Sequence, residues 1–135
     1  MGAWGDGNFE NDDALDWVWT LEHDTDGSAL RAALEPVAEG RDSDEPLGVQ
    51  ASRALAAAAV IARARGTSRE ALPAEAEAWL TGYGRVVDPD LVRVAADAVI
   101  RVYHAIRDEP ANGAWAAKVE QLANDLGWSR RQDLT

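Results

Sequence analysis

The chain has 135 residues, no cysteine and a formal net charge of −11 at neutral pH, with a sequence pI near 4.5. These facts exclude disulfides, thiolate metal sites and cysteine nucleophiles, and they set repulsion against nucleic-acid phosphates and anionic lipid. The charge is uneven: residues 1–46 carry 13 carboxylates against Arg31 and Arg41 alone, whereas residues 47–135 carry 11 acids and 11 bases.

The opening residues, Met1 to Asp6, have neither a basic n-region nor an apolar h-region, so no signal peptide is expected. Asp6 stands where an N-acylation pattern requires Ser or Thr. The longest purely apolar run, Ala54 to Ala62, is nine residues, about half of what a membrane span needs. A soluble cytoplasmic protein is therefore expected, with no membrane and no nucleic-acid partner. The near-absence of Lys beside many Arg and Ala points to a GC-rich bacterial genome.

Alanine makes up about one residue in five, and no segment alternates β-branched residues with period two, so the chain reads as all-α. Residues 1–11 form a Gly- and Trp-rich loop. A first helix is predicted from about Asp12 to Glu22, capped by Asn11 or Asp12, with Asp12, Asp13 and Asp16 where the helix dipole favours carboxylates. Asp24-Thr25-Asp26-Gly27 breaks it, and a short helix follows from about Ser28 to Val37. Residues 40–45 are a polar linker. A long helix starts near Pro46 and ends at Arg65 before Gly66. Pro73 opens a shorter helix through Leu80, terminated by Gly82 and Gly84. Asp88-Pro89 is a cap-plus-first-turn start for a helix to about Arg107. Asn112 caps a final helix ending near Leu126, with Gly127 just past its end. Residues 1–135 are thus expected to form one helical bundle of about six helices, two of them long, central and apolar, wrapped by shorter amphipathic ones.

In the helix from Pro89, the polar residues Asp90, Arg93, Asp97, Arg101 and His104 fall three or four apart as one narrow stripe, and nearly everything else is apolar. His104 belongs to that stripe and has no H-x-x-x-H or H-E-x-x-H companion, so it reads as solvated or packing. No serine sits in a G-x-S-x-G elbow, and no phosphate-binding glycine loop is present. The loop Glu22 to Gly27 resembles an EF-hand only superficially. With Gly27 at the sixth loop position, Ala33 falls where the bidentate carboxylate must stand. A helix stop with Asx-turn chemistry explains the same residues.

The N-terminal segment is the most distinctive. The pattern W-G-x-G-x-F-x-N-D-x-A-x-D-W, carried by Trp4, Gly5, Gly7, Phe9, Asn11, Asp12, Ala14, Asp16 and Trp17, resembles the opening of a bacterial family catalogued as domain of unknown function 4259. The pattern Trp115-x-x-x-Val119-x-x-Leu122 resembles that family's last helix. The resemblance implies no activity, cofactor or partner.

Two readings of the motif stand side by side. In the first, Trp4 and Phe9 fill a groove between helices, Gly5 and Gly7 allow the turn, Asn11 or Asp12 caps, and Trp17 packs. In the second, Asp6, Glu10, Asp12, Asp13 and Asp16 form an exposed acidic face beside the aromatics Trp4 and Phe9, suited to steered docking of a basic partner. Within it Asp12 and Asp16 share a helix face and Asp13 lies off it. The leading functional expectation is a small acidic cytoplasmic interaction protein that is not an enzyme, takes no cofactor and docks a basic protein through its N-terminal third. One biological form of it is an immunity or antitoxin-like protein. The alternative is a divalent-metal-dependent hydrolase using Glu10, Asp12, Asp16 and His23. Oligomeric state is open, and six tryptophans leave room for an exposed one at a contact.

Overall fold

The computed structural model describes residue 9 and residues 12–40, 47–68 and 71–128. Among them are six α-helices, linked in places by short 3-10 turns, and no strand. Helix α1 (Asp12–Trp19) passes into a 3-10 turn (Thr20–His23), followed by α2 (Ser28–Ala38), α3 (Leu47–Ala64), α4 (Ala74–Tyr83), α5 (Pro89–Ile106) and α6 (Gly113–Asp125). The fold is the expected all-α bundle. No helix among the described residues is long and apolar enough to cross a membrane.

Helix α3 is the axis of the bundle and packs against α1, α2, α4, α5 and α6. Every residue from Ala54 to Ala62 is buried. Consecutive helical residues are about 100° apart, so nine in a row leave no side facing water. Alanines dominate the run, and their methyl groups let the neighbouring helices come close. Helix α5 is the second long element. It buries Leu91, Val94, Ala95, Ala98, Val99, Val102, Tyr103 and Ile106 against α2, α3 and α6. It turns Asp90, Arg93, Asp97, Arg101 and His104 outward.

The helix ends follow local chemistry where that chemistry is satisfied nearby. Asp88 Oδ1 accepts the Leu91 N–H at 2.8 Å, with Pro89 in the first turn, so α5 begins as its sequence predicts. At the end of α6, Gly127 has φ +99°, and the Trp128 N–H reaches back to Ala123 O at 3.0 Å, a Schellman closure.

Three boundaries differ from expectation. The first helix tightens after Trp19, where the Thr20 hydroxyl donates to Trp17 O at 2.6 Å. Helix α4 runs through Gly82 to Tyr83. The helical cost of glycine, about 1 kcal/mol, is offset by Trp79 burial and by the Trp79–Tyr83 ring contact, with centroids 6.3 Å apart. Asn112 does not cap α6: no side-chain cap bond forms, and its Nδ2 donates instead to Ile106 O at 3.2 Å. The end of α5 thus claims the amide that was expected to serve α6.

An ion network ties α2 to the start of α5. Arg31 reaches Asp90 at 3.1 Å and Asp88 at 3.7 Å, and Asp90 is shared with Arg93 at 2.8 Å. Hydrogen bonds from Arg93, and then from Arg31, hold the Asp90 carboxyl below its ordinary value of 3.8. A carboxyl lowered in the folded state contributes stability that is present above its unfolded pKa and lost as pH falls through the folded one. Asp90→Asn is therefore expected to flatten the acid limb of the stability curve below that ordinary value. The effect is small because the group is exposed. Urea midpoints measured across acid pH check it, and an acid limb as steep as the wild type's would refute it.

Candidate functional site

Helix α1 divides by phase. Ala14, Trp17 and Val18 face the core, and the Trp17 indole N–H donates to Ala29 O at 3.2 Å, fastening α1 to α2. On the opposite side Asp12, Asp16 and Trp19 recur at i, i+4 and i+7, all exposed, and Thr20, Glu22 and His23 continue the surface. Asp13 is half-buried at the margin. Trp19 is 64 % exposed, in contrast to Trp17, Trp79 and Trp128, which are buried.

A groove of about 320 Å³ runs beside this stripe, between α1 and α2. Asp16 and Thr20 form one wall, Ala29 and Ala33 the other, and Arg53 of α3 lies within it. Small alanine side chains leave the groove open along the edge that carries Asp16.

The structure brings together only part of the expected acidic and aromatic face. Phe9 is 8 % exposed and belongs to the hydrophobic core, so it supplies packing and no exposed ring. Trp4, Gly5, Gly7, Glu10 and Asn11 lie outside the described residues. The exposed aromatic on this surface is Trp19, which lies outside the N-terminal pattern. Its signal was helical phase: it stands three residues beyond Asp16 and two beyond the inward-facing Trp17.

Among the described residues, no three His, Asp or Glu side chains are placed to hold a metal ion. The spacing gives the reason for the pair furthest apart. Asp12 and His23 are eleven residues apart, about 16 Å along a helix, far beyond the reach of one ion's ligands.

The loop after α1 holds the one buried charged side chain among the described residues, Asp24, which is 6 % exposed. Asp24 Oδ1 accepts the Gly27 N–H at 3.2 Å and the Ser28 hydroxyl at 3.3 Å. The Asp24 carbonyl accepts the Trp79 indole N–H at 3.1 Å. Oδ2 is buried with no hydrogen-bond partner. Asp26 Oδ1 accepts the Ser28 N–H at 3.0 Å, and that bond foremost holds the Asp26 carboxyl below its ordinary range. Gly27 has φ +84°, and a Cβ there would lie 3.3 Å from Val86. These bonds start α2 and fasten the loop before it to Trp79 of α4, so the loop is a joint of the fold.

Comparison with curated proteins and with solved structures gave no match. The family model described as Domain of unknown function (DUF4259) matches residues 2–123 of the 135, and the chain belongs to that family.

Proposed function

We propose that this protein is a small interaction module that docks a basic protein partner through its acidic N-terminal third. The observation that carries this reading is the exposed Trp19, set on the same helix face as the carboxylates of Asp12 and Asp16. Tryptophan is enriched among the residues that dominate interface energies. A cationic side chain stacked on an indole face gains further from carboxylates beside it. The excess of 13 acids over two bases in residues 1–46 favours rapid, salt-sensitive encounter with a positive surface. The groove beside Asp16 offers alanine walls to the aliphatic stem of an incoming side chain. Masking of a basic enzyme in the bacterial cytoplasm, as an immunity or antitoxin-like protein would do, is one biological form of this function.

Pull-downs at low and high salt test it with two variants. Trp19→Ala is expected to lose about 2 kcal/mol of binding or more at either salt concentration. Combined Asp12→Asn, Asp13→Asn and Asp16→Asn is expected to lower partner recovery at low salt and to blunt its salt dependence. Recovery that both variants and added salt leave unchanged would overturn the reading.

A further inference from the structure

A second surface feature shares no residue with the acidic stripe. Where the end of α2, the start of α3, the last turns of α5 and Trp115 of α6 meet, they line an open cavity of about 370 Å³. This lies within the range of small-molecule sites. At about 30 Å³ for each water-sized group it has room for about a dozen non-hydrogen atoms. Its walls are mostly apolar, with Val37, Ala51, Val102, Ile106 and Trp115 among them, and no carboxylate among the described residues lines it.

Among the described residues one cation lines it, Arg101. The Arg101 Nε donates to Ala38 O at 2.8 Å, at the end of α2. Its guanidinium lies against Gly40, where a Cβ would fall 2.9 Å from Nη1, and φ +66° there also favours glycine. The side chain is thus oriented by its inner nitrogen and by a residue without a side chain, which leaves the N–H groups of the two terminal nitrogens as donors. The nearest carboxylate on its own helix, Asp97, is held by Arg93 at 3.2 Å. No carboxylate among the described residues pairs with Arg101, although the chain has 24 acids and 13 bases. If Arg101 served only to cap α2, its Nε would suffice and the apolar cavity beside it would have no bearing on its position.

We propose that this cavity binds a small apolar monocarboxylate, the tail among Val37, Val102, Ile106 and Trp115 and the carboxylate on the terminal nitrogens of Arg101. A guanidinium fork matches a carboxylate in two parallel hydrogen bonds. A single negative charge is favoured over a phosphate dianion because the whole molecule is strongly negative. An amine of the same length meets Arg101 as a like charge.

Octanoate, with octylamine as the charge-reversed probe of equal length, tests this by calorimetry and by amide chemical shifts. Octanoate is expected to bind saturably, shifting amides at the end of α2 and around Arg101, and octylamine to bind at least about tenfold more weakly. Arg101→Gln, at an exposed position, is expected to weaken octanoate by about tenfold or more, with only a small fall in melting temperature from the lost bond to Ala38 O. Ala105→Phe, on the exposed rim, is expected to block the cavity and abolish binding. Absence of saturable octanoate binding, equal binding of the two probes, or unchanged affinity in Arg101→Gln would each overturn the proposal.

Discussion

Leu34→Ala and Ala57→Leu are both expected to lower the urea midpoint substantially, for opposite reasons. Leu34 on α2 is fully buried, and truncating it leaves a cavity that costs about 2–5 kcal/mol. Ala57 lies inside the run on α3 that is buried on every side. Three added carbons there have no solvent-facing direction to turn to, so neighbouring helices must shift or rotamers must strain, at about 1–3 kcal/mol. The control is Ala64→Leu, at the exposed last residue of the same helix, where a change within about 0.5 kcal/mol is expected. Midpoints compared at constant denaturant slope check all three. A neutral Ala57→Leu would show that α3 is not closely invested by its neighbours.

Asp24→Ala is expected to cost about 1–3 kcal/mol, because the Gly27 N–H and the Ser28 hydroxyl lose their acceptor in a buried loop. Asp24→Asn is expected to cost much less. The amide keeps an acceptor in the place of Oδ1 and removes a negative charge whose second oxygen, Oδ2, is buried without a partner. An unpaired neutral group is far cheaper to bury than an unpaired share of a carboxylate. Thermal melts of both variants decide the matter. Asparagine as damaging as alanine would show that the charge itself is required at this joint.

What was legible in the residues follows from how far apart the cooperating groups lie. The start of α5 could be read because cap, proline and first-turn N–H sit within four residues. The burial of α3 could be read because an unbroken apolar run excludes every other placement. The Asx-turn at Asp24 was legible as a turn. Its burial was not, because that depends on Trp79, 55 residues further on. The end of α4 was misplaced because Gly82 is a stop signal only when no packing opposes it. Trp19 lies outside the N-terminal pattern, which ends at Trp17, so only helical phase marks it as exposed. By phase Arg101 belongs to the polar stripe of α5, and its side chain is exposed. The cavity beside it exists only once four helices are assembled, so no local pattern could announce it.

The company Trp19 keeps also governs how copies of this chain treat one another. A large exposed indole would ordinarily favour self-association by ring against ring. In a two-fold pair, however, a patch meets its own image, so Asp12 and Asp16 of one copy would be driven against the same carboxylates of the other. On the proposed function, the ring is expected to accept a positively charged surface in preference to its twin. Salt weakens that protection by screening it, so the acidic face keeps molecules apart best where ionic strength is low.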